Sequence, residues 1–547
     1  MRLMRVGIPL TLLLAAGVVA AGLTDCGGGS APAPPQPPSG PRPTPSAQTD
    51  VTTYHDDAAR TGTNPSESVL TPATVNSSSF GLLRVLAVDG KVDAQPLYLS
   101  HLSIAGATHD VVFVATEHDS LYAFDAQTGT VLWQISLLGS GETPSDDHGC
   151  GQISPEIGVT STPVIDRSAG PHGAIFAVAM SKDSSSDYHQ RLHALDITTG
   201  AELFNGPATI NPTYSSAAGG RKTFSAGQYA ERAGLLLVNQ TLYTGWTSHC
   251  DAQPYSGWII GFSESTLAQT AVFNVAADSN GGPSIWMSGG GLAADSAGNI
   301  YFITANGQFE TTPDSNGLPQ YGDYGNSILK LATAGGGLAV ADYFAPSNEV
   351  AESAADEDLG SGGAMLLPDM ADAGGVVRHL MVGAGKDGNI YVINRENMGK
   401  FRSSANADWQ ELDGALPGGI WATPAYFNGT VYYGPVGGPL EAFTVAGAKL
   451  SSQPASATST TFEYPGTAPA VSANGTSNGI VWAVENRNPA VLHAYDALDL
   501  THELYNSNQA AGGRDNFGAG NKFITPVIAD GMVFVGTESG VAVFGIL

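Results

Sequence analysis

Hydrophobic residues in this chain gather into strand-length runs separated by polar turns. The clearest stretch, VVFVATEHDSLYAFDAQTGTVLW from Val111 to Trp133, has a grammar that recurs. An apolar run leads to a polar turn, a second run closes on an acidic residue, and a Thr-Gly turn precedes a bulky apolar side chain. LHALDITTGAELF at 192–204 repeats the second half, and weaker echoes begin at Gly298, Asp387, Leu492 and Asp530. The runs are rich in Val, Ile, Tyr, Phe and Trp and bounded by Gly, Asn, Asp and Ser, which predicts strands; helical periodicity is nearly absent. A small sheet of this kind cannot bury its own faces and must stack on copies of itself.

A second mark counts the copies. Pro96, Pro163, Pro424, Pro469 and Pro526 each stand just before an apolar pair that opens a repeat, and the segments near Gly234, Gly290 and Gly362 keep the pattern without the proline. These openings are about 61 residues apart on average, longer than common propeller blades, so the excess is assigned to loops. The last repeat supplies only three strands, 525–529, 532–537 and 541–545, whereas Leu82–Val88 is strand-like and otherwise has no partner. The expectation is an all-β fold over residues 51–547: an eight-bladed β-propeller of four-stranded antiparallel blades. The N-terminal strand closes the ring and removes its open edges.

Composition narrows the partners. The 547 residues include 22 Lys and Arg against 50 Asp and Glu, a formal net charge of −28. Binding to a phosphate backbone needs clustered cations that such a chain does not offer, so nucleic acid is excluded as a partner. The N-terminus reads as a targeting segment. Two arginines precede an apolar stretch at 6–23, and Cys26 follows in LTDCGGGS, similar to the bacterial lipobox. Residues 1–25 are expected to be a lipoprotein-type signal peptide. Cys26 would be the lipidated residue, and 26–50 a Gly/Pro/Ser-rich disordered tether. Asp25 departs from the small residue usual before that cysteine, so ordinary signal cleavage stays open. The expected location is the periplasm or outer membrane, with a lipid anchor. There Cys150 and Cys250 could pair or remain two free thiols. No Cys-x-x-Cys-His and no zinc spacing occurs.

The D-x-x-T-G-x-x-x-W ending and the A-x-D/E-x-x-x-L-Y-A-x-D opening resemble the repeat of quinoprotein dehydrogenases, eight-bladed propellers that bind pyrroloquinoline quinone (PQQ). A similar repeat builds the lipoprotein subunit of the outer-membrane β-barrel assembly machinery, which binds no cofactor. The resemblance covers nearly all of residues 82–547. It implies a site made of Trp286, stacking on the quinone; Asn306, a calcium ligand; and Asp358, catalytic base and calcium neighbour, with Asp356 and Glu357 as rivals. Lys386 would contact and polarise the quinone, Thr160 would contact the cofactor, and Trp421 would wall the funnel. The cofactors so implied are PQQ and calcium, with an alcohol, sugar or aldehyde as substrate and an external electron acceptor.

Each residue also has a plainer reading. A Trp at a blade mouth often fills a docking groove, Asn in Ala-Asn-Gly suits a tight hairpin, and the acids from Glu349 to Asp358 suit a solvated loop. Three departures separate the chain from the quinoprotein pattern. Its cysteines are not vicinal, no cytochrome segment occurs in it, and the usual calcium-binding Glu is missing, leaving Asp183 or Asp187 to substitute. Glu156 is a further base or ligand candidate, although loop decoration explains it as well. The histidines, His55, His193 and His249 among them, lack metal spacing and read as surface residues. Fold alone does not fix function. The competing reading is a non-catalytic envelope scaffold that holds another protein on the propeller face.

Overall fold

The computed structural model describes residues 49–547 apart from 217, 218 and 280. The expected signal peptide, Cys26 and most of the expected tether lie outside them. The described residues form eight blades, each built on a meander of four antiparallel strands. The strands nearest the axis are Leu97–Ile104, Val164–Asp166, Leu236–Val238, Ala293–Ala294, Met365–Leu366, Ala425–Phe427, Ala470–Asn474 and Val527–Ala529, in blades 1 to 8. The ring closes as expected. Phe80–Ala87 pairs antiparallel with Gly540–Ile546 and completes blade 8.

The uninterrupted run VVFVA in blade 1 follows from burial on both faces. Val111, Phe113 and Ala115 join a core shared with blade 2, whereas Val112 and Val114 point the other way, into the core shared with blade 8. A strand that alternates between two apolar cores has no polar face to show. The Thr-Gly-Trp ending joins neighbouring blades. Asp125 Oδ1 accepts from the Thr128 backbone N–H and hydroxyl at 2.8 and 2.9 Å, and Gly129 takes φ +76°. That turn sends the chain back toward Trp133. The Trp133 indole N–H donates to the Ile197 carbonyl at 3.1 Å, and its ring packs where a Cβ on Gly200 would stand, 2.9 Å away. The tryptophan of one blade thus docks on the Thr-Gly turn of the next.

A feature absent from the sequence reading sits on the axis. The segment from Val51 to Asn64 winds once around the inside of the ring and bonds to every blade. Val51 exchanges backbone hydrogen bonds with Tyr98, and Thr52 O accepts from Ile165 N. The carbonyls of Ala58, Ala59, Thr61 and Gly62 accept from blades 4, 5, 6 and 7 in turn, at Ala294, Leu366, Tyr426 and Val471. Asn64 Nδ2 donates to Ile528 O at 2.8 Å in blade 8, and Thr63–Asn64 adds a short parallel strand to blade 7. Arg60 is completely buried and supplies the link to blade 3. Its Nη2 donates to Leu235 O, its Nε to Leu292 O, and its Nη1 to Thr53 Oγ1 and to the Tyr54 and Asp57 carbonyls, all within 3.2 Å.

Two expectations fail. His55, His193 and His249 are buried rather than on the surface. The His55 ring lies 3.1 and 3.0 Å from the carbonyls of Arg60 and Pro469, so its place is in the axial plug. The acidic run after Asn348 is not wholly a solvated loop either. Glu349–Ala355 is a short α-helix that buries Glu349 and Glu352. Cys150 and Cys250 form a disulfide, with Cα atoms 5.6 Å apart, that ties the loop leading into blade 2 to blade 3.

Candidate functional site

At one end of the axis the blade mouths enclose a funnel of about 250 Å³. Its wall includes Trp286, Asp358, Lys386 and Trp421, brought from the loops of blades 4, 5 and 6. Glycines permit this convergence. A Cβ on Gly385 would stand 2.4 Å from Leu359 Cα, so only glycine lets the Lys386 turn lie against the Asp358 loop. The backbone N–H of Lys386 donates to the Asp358 carbonyl at 2.9 Å. Gly289, at φ +65°, faces the Trp421 carbonyl and Phe523, each about 3 Å from where its Cβ would be. The Gly289–Gly291 run therefore serves close packing of the mouths.

Of the three rival acids Asp358 is buried, whereas Asp356 and Glu357 are exposed. Its Oδ1 accepts from the Asn306 backbone N–H at 2.8 Å, and its Oδ2 lies 2.5 Å from Lys386 Nζ. Lys386 Nζ is also 3.1 Å from Asp356 Oδ1. Burial pushes the Asp358 carboxyl above its ordinary value even though Lys386 pulls it down. Burial acts to lower the Lys386 ammonium, but its contacts with Asp358 and Asp356 outweigh that and leave it raised. Together they form a partly desolvated ion pair at the wall of a cavity.

The other wall is aromatic and cationic. Trp421 meets Tyr464 edge to face at 5.5 Å, Tyr464 meets Phe523 at 6.4 Å, and the Arg232 guanidinium lies 4.8 Å over the Phe523 ring. Arg232 is buried, and its Nε has no hydrogen-bond partner. Burial lowers its pKa, opposed by Asp93 and Glu117. Beneath the funnel, Thr160 lines a separate narrow space with Arg232, Phe523 and Tyr54 of the plug, whose hydroxyl donates to the Gly289 carbonyl. Thr160 is thus not part of the funnel wall: its hydroxyl donates to Glu117 Oε2 at 3.0 Å. Glu117 is fully buried, and burial, then the nearby Asp93, drive its carboxyl strongly up, toward the protonated form.

Glu156 also lies outside the funnel, paired with His118 at 2.9 Å. Asn306 borders an adjoining cleft, where its Nδ2 donates to Asp356 at 3.0 Å. Sequence reasoning missed Arg232, Tyr464 and Phe523. Arg232 stands just before the Gly234 opening and Phe523 just before the Pro526 opening, so residues preceding each blade opening were the available guide. Gln152, Cys250, Asp251, Ser288 and Ser361 complete the wall. The disulfide reaches it through Cys250.

The donor set can be asked about each implied group. A planar aromatic quinone bearing carboxylates needs flat apolar walls and cations at its edge. Trp286, Trp421 and Phe523 supply the first, and Lys386 and Arg232, with its unpartnered Nε, supply the second; the residues fit. A calcium ion needs six to eight oxygens. Both Asp358 oxygens are already bonded, to Asn306 and to Lys386, and Asp183 and Asp187 sit together in a remote hairpin turn. Among the described residues no group of three or more His, Cys, Asp or Glu side chains is arranged to hold a metal ion. The expected calcium site at Asn306 and Asp358 does not fit.

Similarity to solved structures agrees with the architecture. A quinohemoprotein alcohol dehydrogenase from Comamonas testosteroni superposes with a TM-score of 0.59 at 15% identity, covering 91% of this chain and 80% of that one. A quinohemoprotein alcohol dehydrogenase from Pseudomonas putida HK5 gives 0.57 at 13%, with the same coverage. A europium-containing methanol dehydrogenase gives 0.54 at 12%, covering 91% of this chain and 98% of that one. At such identities the likeness establishes a shared eight-bladed fold. No protein-family profile and no curated protein matches the sequence.

Proposed function

We propose that the chain is a quinoprotein-type dehydrogenase that oxidises a hydroxyl-bearing substrate in the axial funnel. The observation that carries this reading is the buried Asp358 paired with the half-buried Lys386, set in a cavity with aromatic walls and the Arg232 cation, whose Nε has no partner. PQQ, when bound, would accept the two electrons released as an alcohol becomes a carbonyl. Trp286 and Trp421 would hold its plane, and Arg232 and Lys386 its anionic edge. Asp358 would take the substrate's hydroxyl proton. A carboxylate raised by burial is a better proton acceptor than one in water, because its pKa moves toward the working pH. Lys386 keeps enough of it ionised to act, and the Asn306 N–H fixes its orientation. With aromatic side chains around it, the pair works where water is scarce and fixed charges count for more.

The test is reconstitution. Added PQQ should quench tryptophan fluorescence, and the loaded protein should reduce an artificial dye when given an alcohol or aldose. Neither quenching nor dye reduction would leave a binding scaffold as the better account. From residues 1–26 we also propose export and lipid attachment at Cys26. Palmitate labelling that persists in Cys26→Ala would refute the attachment.

A further inference from the structure

A second cavity opens beside the funnel and is larger, about 590 Å³. At about 30 Å³ per water it has the volume of roughly twenty waters, far more than a one- or two-carbon alcohol fills. It shares its border with the funnel: Asp251 lines both, and Asn306 and Asp356 at its edge bond to Asp358 and Lys386. The exposed amides of Gln253 and Gln308 face it, and Tyr255 and Phe309 give it apolar surface. Among the described residues its lining contains no Lys or Arg.

One group there lacks a partner. Glu349, from the short helix, is 1% exposed, and its Oε1 accepts from Ser353 at 2.8 Å while its Oε2 has no hydrogen bond. A buried acceptor of this kind calls for a donor. Asp251 adds another acceptor, already oriented by the Tyr255 hydroxyl at 2.6 Å. Primary amides both donate and accept, as hydroxyl groups do, so Gln253 and Gln308 complement vicinal hydroxyls. With acidic side chains and no cation in its lining, and with Asp356 already satisfied by Lys386 at its edge, the cleft offers an anion no counter-charge.

We propose that this cleft binds a neutral polyhydroxylated substrate, an aldose or alditol, and presents one of its hydroxyls to Asp358 in the adjoining funnel. The proposal rests on the dehydrogenase reading for its orientation but not for the binding itself. Gln253 and Gln308 determine specificity by bonding hydroxyls remote from the reacting carbon.

Calorimetry on the full chain without PQQ, with D-sorbitol and D-glucose as probes and 1-butanol, gluconate and Ca²⁺ as comparators, tests the cleft directly. Sorbitol or glucose should bind, and gluconate should bind at least tenfold more weakly. Gln308→Ala and Gln253→Ala change exposed side chains, so folding should be preserved. Each should weaken sorbitol binding about 3- to 10-fold, the loss of one hydrogen bond, while leaving PQQ quenching within twofold. Absence of polyol binding, binding by both variants as tight as the parent's, preference for gluconate, or saturation by Ca²⁺ alone would overturn the proposal. The two readings separate cleanly. If PQQ binds and butanol reduces the dye but polyols do not bind, the cleft proposal falls and the dehydrogenase stands. If polyols bind and PQQ does not, the reverse holds.

Discussion

Asp358 and Lys386 show how much one pair depends on its surroundings. The same carboxylate and ammonium on an open surface would contribute little; against the funnel the carboxyl is raised and the pair is aligned by Asn306. Asp358→Asn should therefore lower dye reduction about 10²- to 10⁴-fold, the range for losing a general base, while PQQ quenching is retained. Loss of both together would mean that Asp358 holds the cofactor or the fold instead. Glu349 allows a test of a different kind. Burial raises its carboxyl from 4.5 to about 7, against the Ser353 hydrogen bond. Between those values the folded chain keeps a proton that the unfolded chain has released, so stability falls as pH rises through that window. Glu349→Gln removes the penalty, and its gain in Tm over the parent should be larger at pH 8 than at pH 5. An equal shift at both pH values would refute the assignment. The order Trp286, Asn306, Asp358, Lys386 was legible in the sequence because each stands at a recognisable blade mouth. Arg232 and Phe523 were not, since their importance lies in meeting across the axis from blade openings that are remote in sequence.

At the scale of elements, irregular segments matter most. The axial plug has no apolar periodicity, because its work is done by main-chain carbonyls and by one guanidinium, so a reading of hydrophobic patterns passes over it. Arg60→Ala would leave the Leu235 and Leu292 carbonyls without their donor and open a hole at the centre of the ring. A loss of about 3 kcal/mol or more in denaturant unfolding is expected. A change below about 1 kcal/mol would show that the plug does not hold the blades. The helix at Glu349–Ala355 was equally hidden, since seven residues give too little periodicity to register. The disulfide closes a long loop, with partners 100 residues apart. In the chain-entropy account such a loop is worth about 5 kcal/mol. Cys150→Ser with Cys250→Ser should lower Tm under oxidising conditions and make it insensitive to reductant; unchanged Tm would mean the cross-link adds nothing.

The described blades form a closed ring, and closure is their main protection against association. Phe80–Ala87 covers the edge of Gly540–Ile546, which would otherwise present unpaired backbone groups to other chains. Leu86→Pro, within that strand, should open the ring and give oligomers on size-exclusion chromatography; a stable monomer would show that blade 8 holds without it. The eight blades and their closure were readable from the sequence alone, because blade docking repeats one local solution: an apolar strand buried on both faces, an Asp-capped Thr-Gly turn and a bulky residue seated on the next turn. Such rules depend on near neighbours in the chain and leave a periodic trace. What only the tertiary structure decided was the axis: which residues from different blades share the funnel, that Thr160 turns to Glu117 instead, that Asp358 pairs with Lys386, that a polar cleft lies alongside, and that residues 51–64 thread the ring. These are contacts between segments far apart in sequence, chosen by burial and charge at the centre, and no local pattern records them.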